Sequence, residues 1–253
     1  MKNEATECMI NCHKILGGKE VKKYQYLIFD LDNTIFDFWG AEDYALSRIS
    51  QEDGLEFTPE VLEVYRTMNK GLWEQYEQGE ISQTYLNEER FVRWFAHYGI
   101  QVDGSVCEKK FRHYLAEANT MMPDALDIIH ELKKDFVMVA ATNGIEETQL
   151  LRLKTAGLEN FFEKLFISEV VGYRKPSKEF FEAVVDQTEG MTIENALMIG
   201  DSFKADIYGA SRIGMDTCWY METPERPTEP EELLSVEPTY QIGHLSELYK
   251  IVL

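Results

Sequence analysis

The stretch Tyr24-Gln25-Tyr26-Leu27-Ile28-Phe29-Asp30-Leu31-Asp32-Asn33-Thr34 decides the fold. Leu27, Ile28 and Phe29 form an unbroken apolar run, the pattern of a strand buried on both faces of a parallel sheet. Such a strand gains nothing by ending in acid. Side chains two apart on an extended backbone point the same way, so Asp30 and Asp32 would project together from the strand's carboxyl end, where open α/β sheets place ligands. Two carboxylates that close repel, and a bound cation is the usual remedy. An Asp-Asn pair also ends many strands in a plain turn, and on this stretch alone both readings stand.

The 253 residues allow one large or two modest domains, and 44% hydrophobic with 12% aromatic content indicates a folded chain. A net charge of -20 argues against a nucleic-acid polymer or an anionic membrane surface as partner. If the substrate is an anion, the site must reverse that field locally. No apolar run is long enough to span a bilayer, and Met1 to Gly18 lacks the apolar centre of a signal peptide, so the expected compartment is the cytoplasm. Cys8, Cys12, Cys107 and Cys218 are too scattered for a disulfide framework. No second ligand pair at zinc-like spacing follows Cys8, Cys12 and His13, and residues 1–23 read as an N-terminal extension.

Outward from Thr34 the periodicity turns helical from about Phe38 to Glu117. Thr58-Pro59 reads as an N-cap with proline in the first turn, followed by a stripe of Val61, Tyr65, Met68 and Leu72. Ser82 opens another helix that stops at Gly99, and flanking helices are expected over Ala41 to Gln51 and Val106 to Ala118. Pro123 and Asp124 would start a helix running through Lys134. Then come a strand at Phe136 to Ala141, a helix at Glu146 to Ala156 and a strand at Lys164 to Ser168. A helix at Ser177 to Thr188, a strand at Ala196 to Gly200 and a helix at Phe203 to Ile213 follow, with a fifth strand at Asp216 to Tyr220. A proline- and acid-rich loop over Thr223 to Pro238 precedes a last short strand near Tyr240 and a helix from Leu245 to Val252. This alternation predicts an α/β protein, a Rossmann-like doubly wound parallel sheet core with an inserted all-helical cap domain. The expected bounds are 24–37 and 118–253 for the core and 38–117 for the cap.

Polar residues recur where these strands end. Strand one ends in Asp30 and Asp32, strand two in Thr142-Asn143-Gly144, and strand four in Gly200-Asp201-Ser202 with Asp206 close behind; Lys175-Pro176 lies in the loop after strand three. Singly, each has a plain alternative: a turn, a helix start or a surface lysine. Jointly, every strand that should border the crevice delivers a group suited to phosphate chemistry.

Asp30-x-Asp32-x-Thr34, Thr142, Lys175 and Gly200-Asp201-x-x-x-x-Asp206 resemble, in order and context, the four motifs of the haloacid dehalogenase-like (HAD) hydrolases. The helical insert after the first motif looks like that family's C1-type cap. The resemblance implies that Asp30 is a nucleophile forming an aspartyl-phosphate and Asp32 the acid and base. Mg²⁺ would be held by an Asp30 oxygen, the Asp32 carbonyl and Asp201, with Asp206 holding its water shell or orienting Lys175. Thr142, the Asn143 amide and Lys175 would bind the phosphoryl oxygens. The haloacid dehalogenases proper lack an aspartate at the position of Asp32, which makes dehalogenation an unexpected activity.

Selectivity is expected in the cap, where Asn69, Lys70, Trp73 and Tyr76 are spaced to share part of a helix face; Trp73 and Tyr76 could equally pack inside the bundle. Asn69 to Ser82, with Arg90-Phe91 and Trp94, Ser168 to Gly172 and Cys218-Trp219, is similar to the YjjG-like pyrimidine 5'-nucleotidases. That resemblance implies a small phosphate monoester as substrate, a nucleoside 5'-monophosphate first and a sugar phosphate or other small metabolite second. A phosphomutase and a non-catalytic module that binds a phosphorylated ligand are the remaining alternatives.

Overall fold

Tyr26 and Ile28 face one side of a sheet and Leu27 and Phe29 the other, and all four are buried, which is why this run carries no polar residue. The computed structural model describes residues 15–16, 19–20, 22–221 and 235–253. Among them, six strands form one parallel sheet: β1 (Tyr26–Phe29), β2 (Val137–Thr142), β3 (Lys164–Ile167), β4 (Ala196–Gly200), β5 (Asp216–Tyr220) and β6 (Tyr240–Ile242). Their spatial order is β3-β2-β1-β4-β5-β6. The chain steps outward from β1 to β3 and then returns to the far side of β1 with β4. Such a reversal leaves a crevice at the carboxyl ends of the two central strands.

Ile28 lies opposite Val139 on β2 and Met198 on β4. With Tyr26, Phe166 and Ala141 they pack on Phe180, Phe181 and Val184 of a helix whose N-cap, Ser177, accepts from the Phe180 amide. Each fully buried side chain of this size contributes about 1.5–3 kcal/mol. The outer strands are the polar ones: Lys164 on β3 and Gln241 on β6 are exposed, as suits sheet edges. The sequence therefore predicts the Rossmann-like α/β core correctly.

Two compact units are present. One comprises Met1–Thr34, Pro123–Asn143 and Phe161–Leu253, and contains the sheet. The other comprises Ile35–Met122 and Gly144–Asn160. In the second, helices α1 (Phe38–Glu52), α2 (Pro59–Glu77), α3 (Gln83–His97) and α4 (Gly104–Glu117) form a bundle. Thr58 and Ser82 cap α2 and α3 by accepting from the Val61 and Tyr85 amides. The Tyr65 ring sits 5.1 Å from Trp94 and 6.1 Å from Phe91 between ring centroids. The buried Arg90 guanidinium donates to Glu108 at 2.6 Å.

Several elements differ from expectation, among them a short helix at Ser168–Val171 where a loop is expected after the third strand. Asp124 has φ 64 and stands outside helix α5 (Ala125–Leu132) instead of in its first turn. Helix α6 (Glu146–Thr155), which the sequence reading leaves with the core, groups with the bundle. There Asn119 Nδ2 donates to the Arg152 carbonyl at 2.8 Å, and the buried Arg152 guanidinium lies 4.5 Å from the Phe36 ring. The expected regular helix at 203–213 is instead a π-helical turn, Phe203–Tyr208, running into Gly209–Ser211. Most of the extension expected at 1–23, with Cys8, Cys12 and His13, and most of the loop expected at 223–238 lie outside the described residues. No helix among the described residues is long and apolar enough to cross a membrane.

Candidate active site

The ladder between β1 and β4 continues one residue past β1, because the Asp30 amide donates to the Ile199 carbonyl at 2.9 Å. This fixes the Asp30 backbone at the carboxyl end of the sheet. Asn33 then takes φ 58, a left-handed conformation that asparagine tolerates better than most residues. The turn carries Thr34 to Asp201, where its hydroxyl accepts from the Asp201 amide at 3.1 Å and donates to Oδ1 at 3.3 Å.

Lys175 sits at the centre. Its Nζ donates to Asp30 Oδ1 at 2.6 Å, Asp206 Oδ1 at 2.7 Å and the Ala141 carbonyl at 2.8 Å, the full complement of an ammonium group. It is 3% exposed. Asn143 holds its backbone in a two-pronged clamp, Nδ2 donating to the Lys175 carbonyl and Oδ1 accepting from the Lys175 amide, both at 2.9 Å. Thr142, at the end of β2, is buried, and Asp32 is half-buried.

Asp206 reaches this group because β4 ends in glycine. A Cβ at Gly200 would lie 2.2 Å from Asp206 Oδ2 and 2.4 Å from its Cγ, closer than any real contact. The Ser202 amide donates to Asp206 Oδ2 at 3.0 Å. The wide turn agrees with this anchoring, since the amides of both Asp206 and Ile207 point at the Ser202 carbonyl.

Ligand oxygens of Asp30, Asp201 and Asp206 all lie within 4.8 Å of one another. Burial raises the pKa of Asp30 well above the usual carboxylate range against the pull of Lys175, and Asp206, Asp201 and Asp32 add to the rise. Burial and then Asp206 push Asp201 up to about 7. Asp206 is raised by burial, again against Lys175. Burial would lower the Lys175 pKa, but Asp206 and Asp30 overcome it and the lysine stays charged. With all three carboxylates ionised, the single ammonium would leave two negative charges, a deficit that a divalent cation would neutralise. All-oxygen donors suit a hard cation such as Mg²⁺.

Asp30, Asp201, Asp206, Lys175 and Asn143 are thus brought together from four loops, with Thr34 tied to Asp201. Asn69, Lys70 and Trp73 lie on α2 of the helical unit: Lys70 is exposed, Asn69 and Trp73 are half-buried, and Trp73 meets Tyr76 edge to face at 5.7 Å. Two contributions escaped the sequence reading, namely the Asn143 side chain and the tie of Thr34 to Asp201. Only the second left a signal, since Thr34 belongs to the first motif.

A family model described as haloacid dehalogenase-like hydrolase matches residues 27–220. The pyrimidine 5'-nucleotidase PynA of Streptococcus pneumoniae is 38% identical over 89% of this chain and 93% of its own. The pyrimidine 5'-nucleotidase YjjG of Escherichia coli is 30% identical over 91% of this chain and 98% of its own. A crystal structure of YfnB from Bacillus subtilis bound to magnesium, 38% identical, superposes with a TM-score of 0.82 over 91% of this chain and 99% of that one. A match spanning β1 to β5, with relatives aligned over nearly their whole length, makes the chain a member of the haloacid dehalogenase-like hydrolases.

Proposed function

We propose that the chain is a magnesium-dependent phosphatase acting on small phosphate monoesters, with pyrimidine nucleoside 5'-monophosphates as its substrate class. The observation that carries the reaction type is the buried ammonium of Lys175 bonded at once to Asp30 and Asp206, with Asp201 close enough to share a cation. The leaving group is supported by PynA and YjjG, which are named as pyrimidine 5'-nucleotidases.

Uncatalysed hydrolysis of phosphate monoesters is among the slowest of reactions, so positioning and charge neutralisation must supply most of the acceleration. In this reading an Asp30 oxygen attacks phosphorus, the bond to the ester oxygen breaks, and Asp32 gives that oxygen its proton. Water then attacks the aspartyl-phosphate, Asp32 takes the water's proton, and the bond to Asp30 breaks to release inorganic phosphate. Lys175 holds Asp30 in place and, with Thr142 and the Asn143 amide, offsets charge on the phosphoryl oxygens. Asp30, Asp201, Asp206 and the Asp32 carbonyl would hold Mg²⁺. Bound magnesium would neutralise the acids and draw charge from the phosphoryl group. Asn69, Lys70 and Trp73 are the proposed contacts of the leaving group.

Phosphate release from UMP, dUMP, dTMP, purine monophosphates and sugar phosphates, with magnesium or with EDTA, tests this. The expected result is preference for the pyrimidine nucleotides and reversible loss in EDTA. A clear preference for sugar phosphates would reject the nucleotidase reading, and no release from any ester would reject the phosphatase.

A further inference from the structure

Trp219 plays no part in the chemistry above, yet it is built into the loop that carries Asp201. It lies on β5 in register with Gly200, the last residue of β4, and is 5% exposed. Its indole N–H donates to the Asp201 carbonyl at 2.8 Å. Its ring meets Phe203, the first residue of the π-helical turn, edge to face at 4.9 Å. The same side chain therefore contacts the residues on both sides of Ser202, through the Asp201 carbonyl and the Phe203 ring, between the two acids at 201 and 206. Thr34 grips the Asp201 amide and carboxylate from the other side.

The indole N–H fixes the direction of the half-buried Asp201 carbonyl, and without that donor the carbonyl is free to turn toward another. Loss of that anchor would free the loop from Asp201 to Asp206 to shift its backbone, and with it the Asp201 carboxylate relative to Asp30 and Asp206. Partners one step removed from a metal govern affinity because they fix the direction of its ligands. We propose that Trp219 is a positioning residue of the cation site, holding Asp201 aligned with the other two acids through its indole N–H. This rests on the magnesium site proposed above. Trp39, Trp73 and Trp94 belong to the helical unit, so Trp219 is the one tryptophan of the sheet unit and should report on the site by its emission.

The test is magnesium binding measured by calorimetry and by tryptophan fluorescence, without substrate, on the wild type, Trp219→Phe and Phe203→Leu. Trp219→Phe keeps a ring but removes the donor; Phe203→Leu keeps the donor but removes its brace. The wild type is expected to bind with a change in emission. Trp219→Phe, read by calorimetry because it lacks the reporting indole, should bind roughly tenfold more weakly. Phe203→Leu should weaken binding by about two- to threefold. A folded Trp219→Phe with wild-type affinity would overturn the proposal, because a merely structural tryptophan lowers the melting temperature without moving the dissociation constant. Should Trp219→Phe not fold, wild-type affinity in Phe203→Leu would overturn it equally. A wild type that binds no magnesium would remove the metal site and this inference together.

Discussion

Lys175 spends all three of its donors inside the protein, on Asp30, Asp206 and the Ala141 carbonyl. Methionine in its place would keep much of the volume and leave two buried carboxylates without their cation. Breaking a buried pair in this way costs about 3–5 kcal/mol. Lys175→Met is therefore expected to unfold at lower urea and to release no phosphate, with magnesium recovering part of the stability. Wild-type stability without metal would contradict the pairing. Asn143 acts through Lys175: Asn143→Ala should lower turnover by about 10–100-fold and stability by only about 1–2 kcal/mol. Steady-state kinetics beside urea unfolding checks this, and unchanged turnover would mean that Lys175 keeps its place unaided. Asp30, Asp32 and Asp201 were legible in the sequence because each is an acid where an apolar run ends, and Lys175 and Asp206 because they follow in the next loops at the spacing of the motifs. The Asn143 side chain was not, because its partner lies 32 positions away and nothing local marks the pairing.

At the scale of elements, the strands were legible because a buried parallel strand is a continuous apolar run, and α2 and α3 because Thr58 and Ser82 announce them. The π-helical turn was not, since it depends on the fit of Asp206 beneath Gly200, which no periodicity encodes. Nor was the place of α6, whose buried Arg152 reads in sequence as an exposed charge. Helix α1 carries a similar surprise in Glu42, which is 2% exposed. Burial pushes its pKa up to about 7, against Arg90 and Arg66 and with a small push from Asp43. The folded protein then holds a proton that the unfolded chain gives up near pH 4.5. Its stabilising effect is complete below that pH and is lost as pH rises through about 7. Glu42→Gln, which cannot ionise, should exceed the wild type in urea stability by about 1–3 kcal/mol at pH 8 and match it near pH 4.5. An equal gap at both pH values would show that the carboxyl does not titrate in this window.

For the whole molecule, a net charge of -20 sets the conditions under which an anionic substrate arrives. In the proposed reaction the lysine and a bound cation would reverse the field within the site, but the approach would be made through repulsion. At fixed free magnesium, raising salt from low to physiological ionic strength should increase kcat/KM for a nucleotide by about two- to fivefold. A fall would mean that an attractive local field governs encounter. The sheet unit holds the acids and the helical unit holds Asn69, Lys70 and Trp73, which matches the two duties proposed for them, phosphoryl transfer for the first and choice of leaving group for the second. The first duty is written in strand ends; the second rests on side chains whose spacing fits a bundle core as well as a binding face. The most direct measurement is phosphate release from UMP in magnesium by the wild type and by purified Asp30→Asn. The wild type should turn over and the variant should release no phosphate while still folding, since a neutral amide cannot form the aspartyl-phosphate. Undiminished release by Asp30→Asn, free of wild-type enzyme, would contradict the account.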